Sequence, residues 1–340
     1  LEIFLNKKPI FIIAEAGVNH NGDLNTALEM IKVAKDCGAD AVKFQTFQAD
    51  SLATKKAKQA RYQSENTGLQ ESQHDMLKKL ELKQEHHQQI KDSCEKHEIE
   101  FMSSPFDIDS VNFLEDLQMK IFKIPSGEIT NKPLLQRIAR INKPTILSTG
   151  MSNIKEIEEA ISIFKEGEFN LDNLSLLHAT SDYPANPSET NMSCIKTLKE
   201  KFNLRIGYSD HTETNYCSII AATLGASIFE KHFTLSKSMS GPDHKASLEP
   251  KDLREYIKII REIEFIIGDG IKKAGISEAK NIEIVRKSLV ASKDIKEGEA
   301  FSEDNITTKR PGNGISPMDI DNVIGKISKK RFIKDDLIEV

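Results

Sequence analysis

From residue 9 to about residue 267, short β-rich runs alternate with stretches whose apolar residues recur at three- and four-residue spacing. That is the rhythm of strand–helix units on a parallel sheet. Eight runs read as strands: Phe11-Ile12-Ile13, Ala41 to Phe44, Ile99 to Met102, Ile121 to Ile124, Thr145-Ile146-Leu147, Leu174 to Leu177, Leu204 to Tyr208 and Ser227 to Glu230. Eight is the number that closes a barrel, so the predicted fold class is α/β, a (β/α)8 TIM barrel. Ile154, Ile157, Ile161 and Phe164, or Leu253, Tyr256, Ile257, Ile260 and Ile263, give the intervening segments one apolar face each. Such helices suit an outer ring. The longest excursion, Gln48 to about Lys83, is polar and charged, with a helical half beginning near Glu71. A long loop after a barrel strand is a candidate lid or binding loop.

Past Gly268-Asp269-Gly270 the pattern shifts to a charged stretch and then to short strands and turns. The domain reading is therefore a catalytic barrel over 1–270, a linker over 271–283 and a small domain over 284–340. A chain of 340 residues exceeds what one ordinary core supports, which agrees with a barrel plus an appendage.

Composition narrows the function classes. With 29% charged and 38% hydrophobic residues the chain reads as a soluble globular protein, and no apolar run reaches the length of a membrane span. Leu1 to Ile10 lack the features of a signal peptide, so a cytoplasmic location is expected. Cys37, Cys94, Cys194 and Cys217 show no Cys-x-x-Cys spacing and read as reduced structural thiols. A formal charge of −5 gives no footprint for nucleic acid, while local Lys and Arg clusters leave room for a small anionic substrate.

Barrel enzymes draw their catalytic groups from the carboxyl ends of the strands, and here every run ends in polar residues. Glu15 with Asn19 and His20 follows the first, Lys43 and Gln45 lie on the second, and Ser103, Ser104 and Asp107 end the third. Lys123, Ser126 and Glu128, then Ser148 and Thr149, follow the fourth and fifth. His178, Ser181, Asp182 and Tyr183 end the sixth, Ser209, Asp210 and His211 the seventh, Glu230, Lys231 and His232 the eighth. His211 and His232 follow adjacent strands, each beside a carboxylate (Asp210, Glu230), and two imidazoles at one mouth can bind a divalent ion. His178 or His20 alone reads as structural. Lys43, Lys123, Ser126, Ser148 and Ser209 form a second set suited to phosphate or carboxylate oxygens. Either lysine could instead pair with Glu15 or Glu128, or act as a Schiff-base nucleophile. Glu15, Glu128 and Asp243 are candidate acid/base groups or salt-bridge partners. Lys309-Arg310-Pro311-Gly312-Asn313-Gly314 reads as an exposed turn.

These motifs together resemble those of bacterial sialic acid synthases, which condense phosphoenolpyruvate with N-acetylmannosamine or a related sugar. The resemblance spans nearly the whole chain. It rests on Ala14 to Gly22, Val42 to Thr46, Ser104-Pro105-Phe106, Lys123 to Glu128, Leu147 to Met151, Ser209 to Thr212, Glu230 to Thr234, Gly241-Pro242-Asp243-His244 and Lys309 to Gly314. It implies a small C-terminal domain like type III antifreeze protein (SAF) and a domain-swapped homodimer in which Arg310 reaches the partner's active site. It further implies that His211 and His232 bind Mn²⁺, with Mg²⁺ or Co²⁺ as alternatives. Phosphoenolpyruvate would fall to Lys43, Lys123, Ser126, Ser148 and Ser209, and the acyl-amino sugar to Glu15, Gln45, Tyr183, Asp243 and Arg310. Water, oriented by a carboxylate such as Glu15 or Glu128, would add to the enol carbon before phosphate leaves.

The chain departs from its relatives at Ala179 to Asn186, beside the substrates, where Ser181 is also a candidate contact. The expected function is N-acetylneuraminate synthase. The alternatives are a legionaminic acid synthase acting on 2,4-diacetamido-2,4,6-trideoxymannose, a metal-independent Schiff-base sugar aldolase using Lys123 or Lys43, and a non-catalytic binding protein.

Overall fold

Eight parallel strands pair in chain order and close: β1 (Phe11–Gly17), β2 (Ala41–Thr46), β3 (Glu100–Pro105), β4 (Phe122–Ile124), β5 (Thr145–Ser148), β6 (Leu174–Ala179), β7 (Arg205–Asp210) and β8 (Ile228–His232). The computed structural model describes residues 10–340. Most strands run past the apolar runs from which they were read, so the polar ends belong to the ladder: Glu15 pairs with Lys43 on one side and His232 on the other. Backbone pairing continues wherever the polar side chains find partners.

Successive side chains alternate between the barrel interior and the helical ring. Phe11, Ile13, Ala41, Met102, Ile121, Ile146, Leu177 and Ile228 form one interior cluster. Their neighbours, such as Ile12, Ala14, Val42, Phe44, Phe122, Leu147 and Phe229, pack outward against the helices. The helices carry ordinary end signals. Asp23 accepts from Thr26 N at 2.7 Å to start Leu24–Cys37, and Asn153 with Glu156 forms a capping box for Ile154–Glu166.

One tie closes the amino-terminal end of the barrel. Arg261, on the helix Pro250–Ile267, donates to Ile10 O at 2.7 Å and to Asp40 Oδ2, which also accepts from Ile12 N at 2.8 Å. Asp40→Ala leaves the fully buried Ile12 N–H without its acceptor. The expected cost is about 2 kcal/mol in urea unfolding, and a loss under about 0.5 kcal/mol would show that the tie is not structural.

The excursion from Gln48 to Lys83, between β2 and β3, holds three short helices, Ala49–Leu52, Arg61–Thr67 and Gln73–Leu80, rather than one helical half, and the helix Gln84–Lys96 follows it. Arg61–Thr67 buries no residue, so it left no apolar period to read. Gln73–Leu80 begins at Ser72, which accepts from Asp75 N at 3.1 Å, and packs Met76, Leu77 and Leu80 on Val18, Phe47 and Ala49 as a small separate core.

The chain divides into two units at Gly268/Asp269. In the second, a helix, Ile276–Val285, occupies most of the stretch read as a linker and buries none of its residues. An antiparallel pair, β9 (Ser288–Ala291) and β10 (Ile306–Lys309), follows, around a core that includes Leu289, Ile295, Phe301, Phe332 and Ile338. Among the described residues no helix is long and apolar enough to cross a membrane, and the four cysteines are unpaired.

Candidate active site

The same alternation that fills the barrel with Phe11 and Ile13 places Glu15 inside it. It does likewise for Lys43 two residues after Ala41, Lys123 after Ile121, Ser148 after Ile146, and Glu230 and His232 after Ile228. Ser209 and His211 continue β7 in the same way. These side chains line a cavity of about 420 Å³ at the carboxyl ends of the strands.

At its base two buried carboxylates face two buried ammonium groups. Lys43 Nζ lies 2.7 Å from Glu15 Oε2 and 3.6 Å from Glu230 Oε2, and Lys123 Nζ lies 3.1 Å from Glu230 Oε1. Lys43 also donates to Ser104 Oγ at 3.1 Å, Ser209 Oγ to Glu230 Oε1 at 2.9 Å, and Gln45 Nε2 to Glu15 Oε1 at 3.4 Å. Burial opposes the charge on Glu230, but Lys123 and Lys43 outweigh it and hold that carboxyl well below the ordinary range. On Glu15 burial prevails over Lys43, and with the negative charge of Glu230 it pushes the carboxyl up to about 7. Glu15 therefore exchanges a proton near neutrality while its neighbour stays charged, a division of labour suited to acid–base chemistry.

Above this quartet the two histidines face each other with ring centroids 5.5 Å apart. Burial lowers His211 to about 4, and burial, with the neighbouring His211 ring and the Lys43 charge disfavouring a further proton, takes His232 well below its usual value, so both rings are neutral. His211 Nδ1 is 2.6 Å from Thr180 O, a carbonyl that only a donor can meet. The remaining nitrogen, Nε2, then carries a lone pair; Ser209 Oγ, 3.3 Å away, directs its hydrogen at Glu230. His232 Nδ1 is buried without a partner. Two neutral imidazoles with unengaged nitrogens fit a divalent cation. Among the described residues no third His, Cys, Asp or Glu completes a ligand group. The donor set suits an ion that takes its other oxygens from water and substrate, not a closed structural zinc site.

On the opposite flank Ser126 Oγ accepts from Gly150 N at 2.9 Å. A Cβ at Gly150 would fall 2.4 Å from Ser181 Oγ and 2.7 Å from Ser126 Oγ, so only glycine lets these hydroxyls crowd the loop. Ser148 Oγ and Asp243 Oδ1 are buried without partners. Unsatisfied buried polar atoms in one cavity point to a ligand that completes them. Tyr183 stacks 4.2 Å from His211 and 5.1 Å from Tyr62, while Asn66 Nδ2 donates to Pro242 O at 2.7 Å. Tyr62 and Asn66 thus tie the long β2–β3 segment over the cavity.

Burial raises Asp243 from 3.8 to about 6. A carboxyl whose folded value is raised weakens the fold as pH rises between the two values, because the folded state then holds the extra proton. Asp243→Asn is therefore expected to gain stability relative to the wild type from pH 4 to pH 6, by up to about 3 kcal/mol, with no further change above. Unfolding midpoints of both proteins across this range test it; a pH-independent difference contradicts the assignment.

Of the residues expected at the site, Glu15, Lys43, Gln45, Lys123, Ser126, Ser148, Ser181, Tyr183, Ser209, His211, His232 and Asp243 line the cavity. Glu128 is not among them: its Oε2 accepts from Asn131 Nδ2 at 2.6 Å. Arg310 belongs to the second unit, where its Nε donates to Val285 O at 2.9 Å. Asp210 does not flank the histidine pair; it points outward to Lys231 at 3.3 Å and accepts from Ser218 Oγ at 2.7 Å. His178, held by Thr190 O at 2.6 Å, also faces the helical ring, and His20 Nδ1 accepts from Gly22 N at 2.9 Å. Glu230, beyond its place beside His232 in the sequence, joins the site because its position two residues earlier on the same strand puts it on the same face. Tyr62, Met76, Leu77 and Leu80, from the β2–β3 segment, left no comparable signal.

Residues 30–272 match the model of the NeuB family and residues 286–339 that of the SAF domain. The chain is 54% identical to the N,N'-diacetyllegionaminic acid synthase of Campylobacter jejuni, over 97% of this chain and 99% of that one. It is 45% identical to the enzyme of the same name from Legionella pneumophila, over 93% and 89% of the two chains. The crystal structure of N-acetylneuraminic acid synthetase from Leptospira borgpetersenii superimposes with a TM-score of 0.71 at 37% identity, over 81% of this chain and 91% of that one. The chain belongs to the NeuB family, as a phosphoenolpyruvate-dependent nonulosonic acid synthase with a C-terminal SAF domain.

Proposed function

We propose that this enzyme condenses phosphoenolpyruvate with open-chain 2,4-diacetamido-2,4,6-trideoxymannose and water, releasing phosphate and N,N'-diacetyllegionaminic acid. The observation that carries the reaction is the joining of an anion-binding base, Lys43 and Lys123 with serine hydroxyls, to a neutral histidine pair in one cavity. The sugar is argued from the likeness to two N,N'-diacetyllegionaminic acid synthases, in preference to N-acetylmannosamine.

In this reading Lys43, Lys123, Ser126, Ser148 and Ser209 hold the phosphate and carboxylate of phosphoenolpyruvate, and Gln45, Ser181, Tyr183 and Asp243 hold the acyl-amino sugar. His211 and His232 hold a divalent ion, Mn²⁺ first, which when bound supplies a Lewis acid for the sugar aldehyde. The enol carbon attacks the aldehyde carbon while the two ammonium groups keep their anions aligned with it. Glu15 is the proton-transfer group because it lines the cavity and titrates near neutrality, whereas Glu128 is bonded to Asn131 away from the lining. It orients the water that adds to the central carbon; phosphate then leaves with the C–O electron pair.

The partner reading is a homodimer whose exchanged SAF domain brings Arg310 to the neighbouring subunit's sugar. Exposed Phe265, Ile266 and Ile267 in the first unit, and a helix without buried residues in the second, support it as apolar surface that a second chain would cover. A covalent role for Lys43 is disfavoured, since Glu15 and Glu230 keep it protonated despite its burial. Phosphate release from phosphoenolpyruvate with Mn²⁺, measured against both sugars, tests the proposal. The larger kcat/KM is expected with the diacetamido sugar; release with neither would sink it.

A further inference from the structure

We infer that Met76, Leu77 and Leu80, with Val18, form the wall that reads the end of the sugar remote from its aldehyde and selects a methyl group at C6 over a hydroxymethyl group. The inference rests on the synthase reading above.

Part of the cavity lining is apolar. The helix Gln73–Leu80 presents Met76, Leu77 and Leu80 to it from one face, and these side chains are at most 9% exposed. The other polar side chains of that helix are engaged elsewhere. His74 Nε2 lies 2.9 Å from Asp50, Lys78 lies 3.2 Å from Asp50, and Lys79 lies 2.6 Å from Glu71. Neighbouring Gln63 is also spent, accepting from Ala60 N at 3.0 Å and donating to Tyr62 OH at 3.3 Å. Gln73, a turn before Met76, is the polar exception at the rim. An open-chain sugar whose aldehyde lies by the histidines and Lys43 places C6 at its opposite end. There a hydroxyl would give up its bonds to water without replacement, whereas a methyl gains by burial.

The wall is a partition. Behind it lies a second cavity of about 440 Å³ that shares Met76, Leu80 and Pro242 and is otherwise lined mostly by polar residues such as Asn66, Lys79 and Ser240, with Leu69 and Gly241. A polar side chain of similar length at position 76 therefore has a polar space beside it, which favours folding of the test variant.

The experiment compares two sugars that differ only at C6, the 2,4-diacetamido-2,4,6-trideoxy sugar and its 6-hydroxy counterpart, by kcat/KM for phosphate release with full-length enzyme. The wild type is expected to prefer the 6-deoxy sugar by about tenfold or more. Met76→Gln and Leu80→Gln are expected to shrink that ratio several-fold, while Met76→Leu keeps it. Both sugars are turned over by the same folded fraction, so the ratio is blind to partial unfolding. Equal kcat/KM in the wild type overturns the inference even if no variant folds, and so does an unchanged ratio in folded Met76→Gln. Phosphate release with neither sugar overturns the synthase reading itself.

Discussion

Lys123→Met is expected to lower kcat/KM for phosphoenolpyruvate by at least about a thousandfold and to cost about 3–5 kcal/mol of stability. Lys123 and Glu230 have side chains only 3% and 5% exposed, 3.1 Å apart, and Lys43 is the other cation of the group. Removing one ammonium leaves two carboxylates sharing one buried partner. It also takes away a charge that would meet the phosphate or carboxylate of the substrate, and an aliphatic side chain offers nothing in exchange. A second substitution separates the two losses. In Lys123→Met/Glu230→Gln the orphaned charge is gone, so most of the stability should return while activity should not. Unfolding by urea and phosphate release measure the two arms. Activity within tenfold of wild type in Lys123→Met would show that this lysine does not bind phosphoenolpyruvate.

His211→Ala and His232→Ala are each expected to weaken Mn²⁺ binding, and phosphate release with it, by at least about a hundredfold. The folded state should tolerate the His232 change well, because that ring's Nδ1 has no partner to lose. The decisive readout is free Mn²⁺ followed by electron paramagnetic resonance during titration of the purified variants, beside an unfolding midpoint. Chelation should abolish wild-type turnover, and added Mn²⁺ should restore it. Full Mn²⁺ affinity in both variants, or turnover that survives chelation, would exclude this pair as the metal site.

Much of the barrel could be read from the chain because alternation within a strand is a local property. Ile13 is buried, so Glu15, two residues on, faces the same way, and the same rule carries Ile228 to Glu230 and His232. The rule also separates Ser209 and His211 from Asp210, which points to Lys231 on the outer side. Less was readable between β2 and β3, where Arg61–Thr67 buries no residue and is placed by Tyr62 on Tyr183 and Asn66 on Pro242. Those contacts join segments more than a hundred residues apart and have no local signature.

Residue type and strand alternation by themselves determined the inventory: an eight-stranded barrel, a separate small domain, and lysines, serines, carboxylates and histidines inside the mouth. Only the tertiary structure decided how that inventory is divided. Lys43 could have met Glu15 or Glu128, and it is the closing register of β1, β2 and β8 that sets it between Glu15 and Glu230. The same closure leaves Glu230 charged and Glu15 near neutrality in its proton affinity, because both values depend on burial and on charges that only folding brings within a few ångströms.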